Sequence, residues 1–275
     1  MSGPTRKSRA IGHGDDRTGT TEVTKRLAIE WPDAAPFRDR DGAPIRLLAV
    51  SDMMEPTLLD IRNRAAMGPV DLIVGCGDLD CDDLSYIVDC FNSPIVYVYG
   101  NHDTEDRWKQ CGEFCPEAVQ STATQRRAGL SISGLTWPGR RGKAGNRSDP
   151  IAWEQAIKMA TRRLGHLDPM IVLSHVPPLG LGDVATDPYH RGFRSYRWLL
   201  DHLEPTLWLH GHTPLAANSE WHLTCGVTTV VNVTGAVLID LLPPTPETLA
   251  ARRRHLSLRA RSSKAGSQNG PTTRR

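Results

Sequence analysis

Nowhere in the 275 residues does an apolar run approach the ~20 positions that a membrane-spanning helix needs. No membrane span is therefore expected. The opening stretch, Met1 to Ala10, is polar and basic and has none of the apolar centre of a secretory signal. Cysteine is sparse, six in the whole chain, which at this length is too few for a disulfide framework. Together these scarcities predict a cytoplasmic protein with reduced thiols. Cys111 and Cys115 are spaced like half of a metal clip, but no second pair follows at zinc-site spacing, so ordinary thiols are the simpler reading. Acidic side chains are missing from Thr248 to Arg275, where eight Lys or Arg fall; taking those eight from the net charge of +2 leaves −6 on the rest. A basic tail on an acidic body could hold nucleic acid. Ser, Gly, Thr and Pro dominate its end, however, and a solvated tail is the preferred reading over a nucleic-acid partner. Nothing in the sequence points to an oligomeric state.

What remains is enough apolar material for one core, since 39% of the chain is hydrophobic. The sequence divides into a disordered N-terminal arm (1–41), one folded domain (42–245) and a basic, disordered C-terminal tail (246–275). Inside the domain, Ile45 to Val50, Asp71 to Val74 and Ile95 to Tyr99 read as short buried strands. Helical spacing from Thr57 to Met67 and from Leu84 to Phe91 separates them, which is the pattern of βαβ units. Leu130 to Leu135, Met170 to Leu173, Leu207 to Leu209, and two late runs near 228–232 and 236–241 supply further strands. Helices are expected over Ile151 to Leu164 and Ser195 to Leu203.

The strands end in an unusual set of side chains. Ile95-Val96-Tyr97-Val98-Tyr99 leads straight into Gly100-Asn101-His102-Asp103, and Asp52, Asp78, His175 and His212 each sit just past another apolar run. In open α/β folds, function gathers beyond the carboxyl ends of strands. Each residue alone has a plainer explanation. Asp52 and Asp78 could cap helices, and His175, before Pro177-Pro178, could be a turn histidine. Together, two carboxylates, an amide oxygen and two imidazoles make a ligand set suited to Mn, Fe or Zn, and their convergence would be costly without a cation.

The order of these motifs resembles the calcineurin-like metallophosphoesterase superfamily, over about Ile45 to Asp240. That family carries, in order, Asp-x-His, Gly-Asp, Gly-Asn-His-Asp/Glu, a His after a small residue, and Gly-His-x-His. This chain matches at Asp52, Gly77-Asp78, Gly100 to Asp103, Ser174-His175 and Gly211-His212. The resemblance implies an αββα sandwich of two mixed sheets with one or two divalent metal ions at one edge. Asp78 would bridge the ions, Asn101, His175 and His212 would complete one site, and Asp52 would belong to the other. A metal-activated hydroxide would then attack the phosphorus of a phosphomonoester or phosphodiester. His102 would stabilise charge or protonate the leaving oxygen rather than bind metal, with Asp103 beside it in the catalytic motif.

Two departures fall on the other ion. Met54 stands where the first motif should place its His, and Pro214 where the last should place its second His. A thioether does not replace an imidazole for Mn or Fe. Glu55 is the nearest spare carboxylate and a candidate auxiliary ligand, its plainer role being a helix-entry Glu. The loop from Asp187 through Phe193 resembles that of a prokaryotic branch of the superfamily, and its His190 and Arg191 are candidates for gripping the substrate phosphate. A degenerate member, keeping one metal and serving as an interaction scaffold, is the alternative; retention of His102 argues against it. A nuclease-like enzyme holding its substrate with the basic tail is a third reading.

Overall fold

In this computed structural model, residues 25–103, 118–139 and 147–268 are described. The apolar runs become strands because both of their faces are covered. In β2 (Ile45–Ser51), Leu47 and Ala49 enter the core between two sheets, while Leu48 and Val50 face outer helices. Side chains alternate along a strand, so one that is covered on both sides is apolar throughout. The same division holds for Ile171 and Leu173 against Met170 and Val172 in β7 (Met170–Ser174), and for Leu207 and Leu209 against Trp208 in β8 (Leu207–His210).

One sheet holds five strands in the order β1-β11-β2-β3-β4, with β1 at Arg26–Glu30, β3 at Leu72–Gly75, β4 at Ile95–Tyr97 and β11 at Gly235–Leu242. The other holds six in the order β5-β6-β7-β8-β10-β9, adding β5 (Thr124–Arg127), β6 (Leu130–Leu135), β9 (His222–Cys225) and β10 (Thr228–Asn232). Both are mixed. β2 runs parallel to β3 but antiparallel to β11, and β7 runs parallel to both β6 and β8 while β9 is antiparallel to β10. Helices α1 (Ile61–Met67) and α2 (Cys81–Phe91) cover the first sheet through Met67, Leu84 and Ile87. Helices α3 (Asp149–Arg162) and α4 (Arg194–Leu203) cover the second through Ala152, Met159, Tyr196 and Leu199. The layers are therefore helix, sheet, sheet, helix, and the carboxyl ends of β2, β3, β4, β7 and β8 open on one edge.

Both flanks depart from expectation. The described part of the arm, 25–41, contains β1, which extends the first sheet by pairing with β11 from Arg26↔Leu238 to Glu30↔Leu242. Its Leu27 and the following Trp31 are buried, so this stretch joins the core despite its polar neighbours. Residues 1–24 lie outside the described residues. The described part of the tail, 246–268, is likewise a helix, α5 (Pro246–Gln268), whose start is capped by Thr245 Oγ1 accepting from Thr248 N at 3.2 Å, and residues 269–275 lie outside the described residues. Arginine is a good helix former, and two of the helix's arginines, Arg252 and Arg259, meet carbonyls. Arg252 donates to Leu167 O at 2.8 Å and to Pro32 O, and Arg259 donates to His202 O at 2.6 Å. Glu204 pairs with His255 at 3.0 Å and with Arg259 at 2.8 Å.

Cys76, Cys90 and Cys225 are free thiols, whereas Cys81 is disulfide-bonded, a departure from the uniformly reduced set expected. Cys111 and Cys115 lie outside the described residues. Among the described residues no helix is long and apolar enough to cross a membrane.

Candidate metal centre

The centre starts from backbone geometry. Asp52, Asp78 and His212 follow the ends of β2, β3 and β8, and all three adopt left-handed backbone angles, with φ of 67°, 58° and 65°. Outside glycine such angles cost roughly 1–3 kcal/mol each and persist where surrounding structure enforces them. Here they turn the side chains into the space beyond the sheet edge. Two glycines make that possible. A Cβ on Gly100 would collide with Asp78 Oδ1, and one on Gly211 with Ser51 Oγ and Asp52 Oδ2.

Around His175 Nε2 three further donor atoms converge: Asn101 Oδ1 at 2.9 Å, Asp78 Oδ2 at 3.0 Å and His212 Nδ1 at 3.2 Å. Both imidazoles are held from behind. His175 Nδ1 donates to Cys76 O at 2.7 Å, and His212 Nε2 donates to Tyr189 O at 2.9 Å. Spending one nitrogen on a carbonyl fixes the tautomer and leaves the other lone pair aimed inward, as metal-ligating histidines require. Burial works against charge on His175, but the Asp78 carboxylate outweighs it and raises the imidazole pKa to about 9. Burial pushes His212 down to about 3, with the neighbouring His175 adding to the effect. Asp78, despite its burial, is held below the usual carboxylate range by His175 and by the His102 amide. Trp137 walls the pair, its ring centroid 6.4 Å from that of His175 and 5.9 Å from that of His212.

The remaining residues fall into three positions. The His102 amide donates to Asp78 Oδ1 at 2.8 Å, and its exposed ring places Nε2 3.3 Å from Tyr189 Oη. Asp103 Oδ2 accepts the amides of Gly100 at 2.6 Å and Asp78 at 3.0 Å, so it braces the two ligand-bearing turns against each other. His190 lies over His212 with ring centroids 5.2 Å apart and is tied through Nδ1 to Asp187. Arg191 lines a recess with Arg147 and Arg194, and among the described residues its side chain has no hydrogen bond to the donor cluster. Tyr189, which sequence reasoning missed, reaches further in than either: its hydroxyl accepts from Asn101 Nδ2 at 2.8 Å while its carbonyl holds His212.

On the other side of Asp78 the supply of ligands is thinner. One oxygen of Asp52, one of Asp78 and a ring nitrogen of His175 lie within 4.8 Å of one another. Asp52, however, is already engaged, accepting the His212 amide at 3.0 and 3.1 Å and Thr234 Oγ1 at 3.1 Å. Met54 is partly buried, packed against the apolar cluster beneath α1 and α2, and Pro214 is exposed. Glu55 Oε2 hangs over Gly235, where a Cβ would come within 2.8 Å of it. A buried lysine, Lys25, also absent from the sequence-based site, donates to Thr234 O at 2.5 Å. Burial lowers its pKa to about 8, with Glu55 and Asp52 pulling the other way. Among the described residues Asp52, Asp78 and His175 thus form a group that could hold a metal ion, with Asn101 and His212 against the same His175 nitrogen, and neither Met54 nor Pro214 adds an imidazole beside Asp52.

The family model for calcineurin-like phosphoesterases matches residues 45–216, which includes every one of the converging donors. The chain belongs to this family. The expected family and the four-layer sandwich are both borne out. No curated protein matches the phosphoesterase chain. One crystal structure aligns with a TM-score of 0.53 at 14% identity, covering 72% of this chain and 95% of its own, which is a likeness of fold. A dimetal phosphatase from Danio rerio aligns at 10% identity over 70% of this chain and 88% of that one, with a TM-score of 0.43. Vps29 from Entamoeba histolytica, complexed with zinc, aligns at 12% identity over 70% and 74%, with a TM-score of 0.36. Family and donor set together support a metal-dependent phosphoesterase at the level of class.

Proposed function

We propose that this phosphoesterase is an active hydrolase of a phosphomonoester or phosphodiester, working with Mn, Fe or Zn held by Asp78, Asn101, His175 and His212. The observation that carries the reading is the convergence of their donor atoms on one point, with both imidazoles anchored through their far nitrogens. A divalent ion at such a point acidifies water and draws negative charge off a phosphoryl group. The chain's own residues would do the rest. Asp78 holds His102 by its backbone amide, which leaves the exposed imidazole free to deliver a proton to the departing oxygen. Tyr189 Oη, between Asn101 and His102, would orient a phosphoryl oxygen. His190 lies near enough to His212 to meet the ester from the other side, and Arg191 would hold the part of the substrate that extends outward. Asp103 would act by bracing the two turns. Asp52 and Glu55 would contribute negative charge beside Asp78. The substrate would be met in the cytoplasm.

A second reading, a catalytically degenerate scaffold that keeps one metal, draws on Met54 and Pro214, which leave Asp52 without an imidazole partner. The deciding experiment is hydrolysis of chromogenic phosphomonoesters and phosphodiesters by metal-stripped protein resupplied with Mn, Fe or Zn, beside Asp78→Asn. Metal-dependent turnover that disappears in the variant is the expected result. A protein that binds one equivalent of metal and turns over neither ester class would instead be the scaffold.

A further inference from the structure

A buried lysine is joined to Asp52 through a single residue, Thr234. Lys25 lies at the start of β1, outside the stretch that matches the family, yet its side chain is buried at the sheet edge beside β11. Its ammonium donates to Thr234 O, and Thr234 Oγ1 donates in turn to Asp52 Oδ2 at 3.1 Å. On the next residue, Gly235, the backbone runs directly beneath Glu55 Oε2. One short segment, Thr234-Gly235, therefore brings the lysine together with the two carboxylates that an incomplete second site would leave over. A lysine is rarely this buried unless it is paired. Carboxylates gathered near Thr234-Gly235 also need compensation, and neither Met54, partly buried against the core, nor Pro214, in solvent, supplies the imidazole that a second dication would take.

We propose that the Lys25 ammonium, positioned through Thr234, stands in for the second metal ion, so that the centre operates with one divalent ion and one fixed organic cation. The inference rests on the metal-binding reading above. Lys25 is a positioning residue here: it sets the charge around Asp52 and Glu55 and does not touch the ester. Its burial costs solvation, and attraction to Glu55 and Asp52 offsets part of that cost. A fixed ammonium has a further consequence. It repels a dication approaching Asp52, so removing it turns a closed position into an open one for metal.

The test is metal stoichiometry, which needs no substrate. Wild type, Lys25→Met, Lys25→Arg and His175→Ala would be saturated with Mn or Zn, freed of loose metal by gel filtration, and analysed for ions per chain, with titration calorimetry for affinity. Lys25→Met keeps much of the apolar stem, and circular dichroism confirms that each variant is folded. The expected result is one ion in wild type, one in Lys25→Arg, none in His175→Ala, and a second, weaker ion in Lys25→Met. Two ions in the wild type would overturn the inference and leave the hydrolase reading intact, and the wild-type count stands even if a variant misfolds. A single ion retained in His175→Ala at unchanged affinity would remove His175 from the ligands and overturn the one-ion site on which the inference rests. One ion in folded Lys25→Met would show that the lysine excludes nothing, which overturns it too. No ion in any of the four proteins would sink the metal-dependent reading and this inference with it.

Discussion

His175 and His212 meet edge to face, their ring centroids 4.9 Å apart at 63°, and each sends its far nitrogen to a backbone carbonyl. The carbonyls come from different parts of the chain, Cys76 after β3 and Tyr189 in the loop before α4. The inward nitrogens are therefore fixed from two separate segments at once. His175→Ala should lower metal affinity by more than the ~10–100-fold typical of losing an outer partner of a ligand. Calorimetric titration with Mn or Zn measures it, and unchanged affinity would exclude His175 as a ligand.

Tyr189→Phe separates the two contributions of Tyr189. The carbonyl bond to His212 survives, while the hydroxyl contacts with Asn101 and His102 are lost. Loss of a hydrogen bond worth about 1–1.5 kcal/mol predicts roughly a tenfold fall in kcat/KM with metal content preserved. Steady-state kinetics alongside metal analysis decides it; a parallel loss of metal would assign the hydroxyl to holding the ligands instead.

His102→Gln should cost about 10²–10⁴-fold in kcat, the range of general acid catalysis, without altering metal content. The loss should be smallest for esters whose leaving group is already a weak base, such as nitrophenyl esters, and largest for alkyl esters. Equal losses across a leaving-group series would show that the imidazole is not donating the proton.

Removing metal should lower the melting temperature. At a metal concentration one hundred times Kd, binding adds about 2.7 kcal/mol. For a chain of this size that corresponds to a fall on the order of 5–10 °C with chelator. Scanning calorimetry with and without chelator checks this.

Metal-free protein should also respond to pH on both sides of neutrality. His175 has a folded pKa of about 9, above its unfolded ~6.5, so its contribution is complete below ~6.5 and is lost as the pH rises through about 9. His212, lowered to about 3, acts in the opposite direction: folding keeps it neutral, and stability falls as the pH drops below ~6.5. Melting temperatures measured with chelator from pH 4 to 10 should therefore peak between these flanks. A monotonic profile would contradict the assignment.

The βαβ order and the ligand-bearing strand ends were legible because burial on both faces writes a continuous apolar run. Leu47 to Val50 and Met170 to Leu173 show it plainly, and each run ends at a serine followed directly by a candidate ligand, Asp52 or His175. β1 was hidden because Arg26 and Glu30 frame only three less polar residues within a polar flank, and its partner β11 lies some two hundred positions away. Composition misled at α5, where arginine reads as solvated although carbonyls of Pro32, Leu167 and His202 take up its donors. Tyr189 and Lys25 carry no local signal at all. Each matters only through contacts across large sequence separations, with Asn101 and with Thr234.

β1 also protects the molecule from its own copies. Without that strand, β11 would become the border of its sheet, eight residues long and buried over most of its length. Its unpaired amides and carbonyls, flanked by Val237, Ile239 and Leu241, would offer a template for strand-to-strand growth between molecules. Deleting the chain through Glu30 while keeping β11 would thus expose a seed for aggregation.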